Sequence, residues 1–213
     1  MLQLLFGKNG LKQMYVIGLS GGIGSGKSSV AHYLASLGIP VFDSDAVIRS
    51  CVGVNGPCLQ QVEELLGPES ILPTREMNRL WVADKVFHDQ VLLKKFNRIL
   101  NDQLHVEEQC FLAFHRARGA HVVVLDVPLL IESDWREDVD SIWLVKTPKE
   151  LRIQRAMRRD HVSEAEMTKR INSQRPTEEV EKYAHVVIDN SGDFEHTKVQ
   201  LLENLRKVEL GLQ

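Results

Sequence analysis

The sequence has few cysteines, and none stands in a metal-binding pattern. Cys51, Cys58 and Cys110 are the three cysteines in 213 residues, and no two of them form a Cys-x-x-Cys pair. An odd number of separated cysteines argues against a disulfide framework or a zinc site. The eight histidines show no His-Glu-x-x-His spacing either. We therefore expect reduced thiols and a cytoplasmic location.

Long apolar runs and a strong net charge are also missing. Leu2–Phe6 is too short for the core of a secretory signal, and no run approaches the roughly 20 residues that cross a membrane. The formal net charge of −3 argues against a general nucleic-acid or membrane-surface binder. Any anion site is therefore local. We expect residues 1–13 to be an N-terminal extension, with targeting as the alternative; the oligomeric state stays open.

One glycine-rich segment fits the P-loop pattern, which is a glycine, any four residues, and then Gly-Lys-Ser/Thr. An apolar segment with β-forming residues, Tyr15–Leu19, precedes it, and Ser29–Leu37 follows with the apolar spacing of a helix closed by Gly38. Strand, loop and helix thus come in the order that a phosphate-binding loop requires. The predicted nucleotide-binding residues are Gly21, Gly22, Ile23, Gly24, Ser25, Gly26, Lys27, Ser28 and Ser29.

The residue types of this loop suit a nucleoside triphosphate. Glycines adopt backbone angles that let successive N–H groups turn toward phosphate oxygens, and the helix N-terminus adds a partial positive charge. Lys27 would reach the β- and γ-phosphates, and the Ser28 hydroxyl would bind Mg²⁺. The alternative is a glycine-rich turn that contains a lysine by chance. We predict that the loop binds ATP.

Two further strands are predicted to end in acidic residues near this loop. Ile39–Asp45 reads as a strand on which Asp43 and Asp45 face the same side. His121–Asp126 is an apolar run that ends like a Walker-B element, whose aspartate helps to hold Mg²⁺. The alternative for Asp126 is a polar turn residue that closes a strand. Ligands gather at the carboxyl ends of parallel strands, so Asp45 is expected near the transferred phosphate if the two strands are close.

The remaining segments predict an α/β fold with inserted helices. Residues 139–145 and 185–190 give a fourth and a fifth strand, and residues 46–119 are helical in pattern. In residues 148–182, three arginines at helical spacing, Arg152, Arg155 and Arg159, predict a mobile lid. A solvated helix with salt bridges is the alternative. The predicted core comprises residues 14–45, 120–147 and 183–213.

Taken together, these segments resemble the dephospho-CoA kinase family. The resemblance runs from about Tyr15 to the C-terminal helix, and its motifs in combination are more specific than a P-loop alone. The matching stretches are Gly18–Ser28, Leu37–Asp45, Asp126–Glu132, Gln154-Arg155 with Arg159, and Ile188–Gly192.

The resemblance implies ATP-dependent phosphorylation of the ribose 3′-hydroxyl of dephospho-CoA, which gives CoA and ADP. It implies a P-loop NTPase-type three-layer fold with a five-stranded parallel sheet, a helical CoA-substrate domain at 46–119 and a lid at 148–182. Asp45 matches the catalytic carboxylate beside the hydroxyl, and Arg155 and Arg159 match the lid arginines. Asn190 and Gly192 match the loop near the adenine. Lys27 would supply electrostatic catalysis, and Ser28 with Asp126 would hold the metal.

The sequence departs from the family at one place and leaves two functional alternatives open. Where the family usually carries a His-Pro pair, this chain has Asn101-Asp102, so no acceptor contact is transferred to that position. One alternative is a P-loop kinase for another small hydroxyl acceptor, such as a nucleoside monophosphate or a sugar acid. The other is a nucleotide-binding switch without turnover, although the set of Lys27, Ser28, Asp45, Asp126 and the arginines speaks against it.

Overall fold

The computed structural model describes residues 14–127, 130 and 137–211. The N-terminal extension predicted at residues 1–13 lies outside the described residues, as does most of the matching stretch that follows Val127. The described chain divides into two compact units. The second unit is Asp43–Phe114, and the first comprises the described residues before and after it.

The first unit is built on a sheet of five strands in the order β2-β3-β1-β4-β5. The pairs β1–β3, β1–β4 and β4–β5 are parallel, so the five-stranded parallel sheet predicted from the sequence is confirmed. β3 and nearly all of β4 are buried, as expected for strands covered on both faces. The strands are β1 Tyr15–Ser20, β2 Val41–Asp43, β3 Val122–Asp126, β4 Ser141–Lys146 and β5 Val186–Asp189.

Helices connect these strands, and helices also make up most of the second unit. Helix α1 follows the glycine-rich loop, and its end is closed by Gly38 at φ +85°, a left-handed conformation that glycine adopts at low cost. The helices are α1 Lys27–Ser36, α2 Ser44–Cys51, α3 Leu59–Leu66, α4 Arg79–Phe87, α5 Gln90–Ala117, α6 Lys149–Asp160, α7 Glu164–Asn172, α8 Thr177–Glu181 and α9 Phe194–Glu209, with a 3-10 turn at Pro68–Ser70.

Each unit has its own apolar core. In the first unit, β1, β3 and β4 meet α1 and α9 around buried side chains such as Leu19, Leu34, Trp143 and Leu201. In the second unit, residues from α2, α3, α4 and α5 surround Cys58 and Val62, which are fully buried. None of the described helices is both long and apolar enough to cross a membrane.

The second strand differs from its prediction. β2 ends at Asp43, and Ser44 and Asp45 already belong to helix α2. The cause is local: the Asp43 carboxylate accepts a hydrogen bond of 2.9 Å from the Ala46 N–H, which caps the helix. The alternation that placed Asp43 and Asp45 on one side of a strand is therefore wrong.

The inserted helices form a compact unit of their own. This helical unit spans Asp43–Phe114, and the helices between residues 148 and 182 belong to the first unit. Helix α5 is uninterrupted over 28 residues, and it contains no proline, which would break its hydrogen bonding. Asn101 and Asp102 lie on its exposed surface.

Candidate active site

The glycine-rich loop between β1 and α1 is shaped by two glycines in left-handed conformations. Gly24 has φ +75°, and Gly26, the residue before α1, has φ +88°. A side chain on Gly24 would overlap the backbone carbonyl of Arg152, and one on Gly26 would overlap the Asn190 amide. Both positions thus require glycine for conformation and for space.

Several backbone N–H groups of the loop remain available for a ligand. The N–H groups of Gly24, Gly26, Lys27 and Ser28 donate to no acceptor within residues 14–127, 130 and 137–211. They surround the N-terminus of α1, where the helix dipole favours negative charge. This arrangement is that of an anion cradle, and phosphate oxygens are its natural ligands.

Lys27, the first residue of α1, contacts Asp126, the last residue of β3. The register of β1 with β3 pairs Leu19 with Asp126, which brings the aspartate to the level of the loop. Lys27 Nζ donates to Asp126 Oδ1. The two side chains are only 16% and 8% exposed. Two of the predicted site residues are therefore together, and a positive charge already lies against the Asp126 carboxylate.

A buried hydrogen-bond network joins the loop to the end of β5. The Asn190 side chain donates from Nδ2 to the Ser25 carbonyl at 2.8 Å, and its Oδ1 accepts from the Thr197 hydroxyl at 3.0 Å. The Thr147 hydroxyl, at the end of β4, lies 3.0 Å from the Ser25 carbonyl oxygen and donates to it. Asn190 is buried. Through these bonds, Asn190 holds the backbone of the loop in place.

Sequence reasoning missed Thr147 and Thr197. Thr147 could have been predicted, because it follows the carboxyl end of a predicted strand. Asp126 and Asn190 were predicted at the carboxyl ends of their own strands. Thr197 lies inside helix α9, and no pattern in the chain points to its contact with Asn190.

A cavity of about 610 Å³ opens beside the loop. It brings together Gly26 and Ser29 from the loop, Arg155 from α6, and Asn190 and Gly192 from the segment after β5. Gly26, Ser29, Asn190 and Gly192 were predicted as nucleotide-binding residues, and Arg155 was predicted as a catalytic arginine of the lid. The rest of its lining is His32, Tyr33 and Phe194.

The aromatic side chains of this cavity were not predicted, although helical spacing could have indicated Tyr33. Tyr33 follows Ser29 by four residues on α1, which places both on one face. Tyr33 and Phe194 meet edge to face with ring centroids 6.0 Å apart. Their faces provide apolar surface on which a flat ring can bind.

The three arginines of α6 have different surroundings. Arg155 donates from Nη1 to the Asn190 carbonyl at 2.9 Å. Arg159 is 63% exposed and donates to both carboxylate oxygens of Asp160, at 2.6 and 2.9 Å. This pairing raises the pKa of Arg159 and lowers the pKa of Asp160. Arg152 is buried and its guanidinium donates to the Ile23 carbonyl, so the three arginines that share this helix meet different acceptors.

Asp45 belongs to the second unit. It is an exposed residue in the first turn of α2, where an acidic side chain interacts favourably with the helix dipole. The described geometry of the first unit therefore supplies a phosphate cradle, a lysine, a buried carboxylate and a cavity with aromatic walls. Such a site can bind a nucleoside triphosphate and stabilise negative charge on a transferred phosphoryl group.

Comparisons with known proteins agree with this geometry. The family model described as dephospho-CoA kinase (CoaE) matches residues 15–196. A dephospho-CoA kinase from Bacillus cereus is 37% identical over 192 residues, which cover 90% of this chain and 96% of the relative. One from Carboxydothermus hydrogenoformans is 36% identical and covers 90% and 93% of the two chains.

Solved structures show the same fold. The crystal structure of TT1252 from Thermus thermophilus has a TM-score of 0.76 and 32% identity, and the alignment covers 92% of this chain and 98% of that one. Dephospho-CoA kinase from Campylobacter jejuni has a TM-score of 0.73 over 94% of this chain and 100% of that one. At 18% identity this second likeness supports the fold alone.

Proposed function

The chain belongs to the dephospho-CoA kinase family, and from that membership we infer that it catalyses the ATP-dependent phosphorylation of dephospho-CoA in coenzyme A biosynthesis. The product pair is CoA and ADP, with the ribose 3′-hydroxyl as the acceptor. The structural observation that carries this function is the open cradle of backbone N–H groups beside Lys27. Such a cradle binds phosphates.

We propose that the donor nucleotide occupies the loop and the adjoining cavity. Residues 21–29 would hold the phosphates. The cavity of about 610 Å³ is within the range of small-ligand sites. Asn190 and Gly192 would lie near the adenine, and the edge-to-face pair of Tyr33 and Phe194 offers it an apolar wall.

Catalysis in this proposal is mainly electrostatic. Phosphoryl transfer passes through a loose transition state, so positioning and charge stabilisation outweigh base strength. Lys27 contributes positive charge at the phosphates. Arg155 and Arg159 of the lid, residues 148–182, reach them by movement of their own side chains. In this step Arg159 exchanges its bonds to Asp160 for bonds to phosphate.

We assign the acceptor side to the helical unit and to Asp45. A carboxylate with an ordinary pKa near 4 is a weak base for a sugar hydroxyl. Asp45 therefore orients the 3′-hydroxyl and accepts its proton late, as the new P–O bond forms. Residues 46–119 would recognise the CoA portion of the substrate.

The oxygen donors of the site fit Mg²⁺. The Asp126 carboxylate is buried and already has a cation against it, and Ser28 presents a hydroxyl at the start of α1. Carboxylate and hydroxyl oxygens are ligands that Mg²⁺ prefers. When bound, the ion would neutralise charge on the β- and γ-phosphates. Ser28 and Asp126 would hold it, while Lys27 turns from the carboxylate to the phosphates.

We also propose a cytoplasmic location, which the three free cysteines support. Fractionation of cells that express the tagged full chain would measure this directly. Recovery of the tagged protein outside the cytoplasmic fraction would contradict it.

An acceptor panel tests the function as a whole. ADP release is measured with ATP and Mg²⁺ against dephospho-CoA, a nucleoside monophosphate, the hydroxylated carboxylic acid shikimate and the sugar acid gluconate. We expect kcat/KM for dephospho-CoA to exceed the others by orders of magnitude, because acceptor contacts that fit one substrate leave polar groups unpaired with another. Equal rates with all acceptors would contradict the assignment.

A further inference from the structure

The peptide of Ile23, at the tip of the phosphate loop, is held from both sides. Its N–H donates to Gln174 Oε1 at 2.9 Å, and its carbonyl accepts from Arg152 Nε at 2.8 Å. The two partners are also bonded to each other, since Arg152 Nη2 donates to the same Gln174 oxygen at 2.8 Å. Three bonds therefore close a ring through this one residue.

Arg152 is built into the protein rather than directed at solvent. Its residue is 6% exposed, and Nη1 donates to the Thr177 hydroxyl at 3.1 Å. Burial lowers the pKa of Arg152 below its ordinary value, but a guanidinium stays protonated in proteins. A buried charge persists when hydrogen bonds satisfy it. All three nitrogens of this guanidinium have acceptors within the protein.

The side chain of Ile23 makes a second kind of attachment. It packs against the small apolar cluster of Ala156, Met167 and Ile171, which joins α6 to α7. The neighbouring Gly22 lies so close to Arg152 that a Cβ there would overlap the guanidinium. The loop tip is thus attached to the lid segment by an apolar contact as well as by the ring of hydrogen bonds.

These contacts give the backbone of Ile23 a different role from the backbone of the rest of the loop. The Ile23 N–H is used by Gln174, whereas those of Gly24, Gly26 and Lys27 have no acceptor in the described parts of the chain. A fixed backbone at position 23 restricts where the following N–H groups point, because peptide units are planar and each residue adds only two soft angles.

We propose that Arg152 and Gln174 are positioning residues that lock the Ile23 backbone and so couple the lid helices to the phosphate loop. They pre-orient the free N–H groups of the loop for ATP, and they tie α6, which carries Arg155, to the same point. Neither residue contacts phosphate in this scheme. Arg152 cannot reach a phosphate without releasing the Ile23 carbonyl. The effect on catalysis rests on the function proposed above.

The test compares variants of the full-length enzyme. Arg152→Ala, Gln174→Ala and the double variant remove the ring, while Gln174→Glu keeps an oxygen that accepts from both donors. Arg158→Ala and Asn172→Ala change exposed residues on the neighbouring helices and serve as matched controls. The readouts are kcat, KM for each substrate, ADP affinity by calorimetry, thermal unfolding, and amide exchange at Ile23 by NMR.

We expect kcat/KM for ATP to fall about tenfold to a hundredfold in the alanine variants, the size of effect that a small misplacement of reacting groups produces. KM for dephospho-CoA should stay unchanged, and exchange at the Ile23 amide should accelerate in Gln174→Ala. The double variant should lose no more activity than the less active single variant, because the two residues act as one unit. Gln174→Glu should recover most of the activity.

Two results of the activity measurements would overturn the proposal. One is a lower unfolding temperature with unchanged kcat/KM per folded molecule, which indicates a structural role alone; the other is a double variant whose losses multiply. If Arg152→Ala does not fold, Gln174→Ala decides, because it keeps the Arg152 guanidinium bonded to the Ile23 carbonyl and the Thr177 hydroxyl.

The binding measurements separate this proposal from the assigned acceptor. ADP affinity and Ile23 exchange need no acceptor. If the wild type does not phosphorylate dephospho-CoA but Gln174→Ala still weakens ADP binding, the coupling stands and the proposed function fails. If ADP affinity and Ile23 exchange do not change in Gln174→Ala, the coupling itself is wrong.

Discussion

The phosphate loop and the start of helix α2 both follow a sheet strand, yet their surroundings differ. Lys27 is largely buried and paired with Asp126, and the loop around it is tied to Asn190 and Gln174. Asp45 is exposed in the first turn of its helix. The donor side of the proposed reaction is thus organised by contacts within one unit, whereas the acceptor side depends on an exposed side chain.

We therefore expect substitutions on the donor and acceptor sides to differ in their effects on stability and turnover. Residues of the loop network stabilise the fold as well as the chemistry, so their replacement should change both. Replacement of Asp45 should change turnover with only a small loss of stability, because this exposed carboxylate contributes mainly through the helix dipole, about 0.3–1 kcal/mol. The following variants test that distinction, from the largest expected effect to the smallest.

Lys27→Ala should have the largest effect on turnover. Loss of the loop cation that faces the phosphates should lower kcat by about a thousandfold or more, at the upper end of what one electrostatic contact contributes. Removal of the lysine also takes its charge away from the buried Asp126 carboxylate, so some stability should be lost. Coupled ADP-release kinetics and thermal unfolding measure the two effects. A folded variant with full activity would show that the loop does not act as proposed.

Asp45→Asn should lower kcat by about a hundredfold, the lower end of what positioned proton transfer contributes. ADP affinity should match that of the wild type and the unfolding temperature should fall only slightly, since the substitution is nearly isosteric, the residue is exposed and only its charge at the helix N-terminus is lost. Asp84→Asn, an exposed acid on α4, is the matched control. An unchanged rate in Asp45→Asn would remove Asp45 from the catalytic residues.

Asn190→Ala should destabilise the protein and weaken ATP binding together. It leaves the buried Thr197 hydroxyl without its Asn190 partner and the Ser25 carbonyl with one donor fewer, a loss of about 1–3 kcal/mol. Urea unfolding gives the stability, and KM for ATP gives the second effect. Thr197→Val removes the contacts of the Thr197 hydroxyl with Asn190 Oδ1 and the Asp189 carbonyl but keeps the bond from Asn190 to the Ser25 carbonyl, so its effect on both quantities should be smaller. A stable Asn190→Ala with unchanged KM would separate the network from the site.

Asp189→Asn should have the smallest effect, and that effect should depend on pH. Hydrogen bonds from the Ser191 side chain and backbone lower the pKa of Asp189 below its ordinary 3.8. Because the folded-state pKa is depressed, the stabilisation is complete above the unfolded pKa and is lost as pH falls through the folded pKa. Urea unfolding at pH 7 and in increasingly acidic buffers should therefore show a difference between variant and wild type that shrinks in acid. A difference that grows in acid would contradict the sign.

Much of the donor site was predictable because it depends on local patterns. A glycine loop between an apolar strand and a helix has few other solutions, and Lys27 and Asp126 were placed by the rule that ligands bind at strand ends. The end of β2 was not predictable in this way. Asp43 can close a strand or cap a helix with equal ease, and the bond to Ala46 decides in favour of the cap.

The arginines of α6 show what a sequence pattern cannot predict, namely the acceptor that each guanidinium binds. Helical spacing predicted one shared face, but it does not state which acceptors each guanidinium meets. Arg159 binds its neighbour Asp160, Arg155 binds the Asn190 carbonyl, and Arg152 binds a peptide 129 positions away in the chain. The first of these partners is adjacent in the sequence, and the other two come near only when the chain has folded.

By itself, the sequence determined the parallel sheet, the phosphate loop with Lys27 and Ser28, and the resemblance that names the acceptor. These depend on backbone conformation and on residue order over short distances. Only the tertiary structure decided that Asn190 supports the loop, that aromatic rings line its cavity, and that Arg152 and Gln174 hold Ile23. The physical reason is that such contacts join residues far apart in the chain, and hydrogen-bond geometry and burial select them only after the elements have packed.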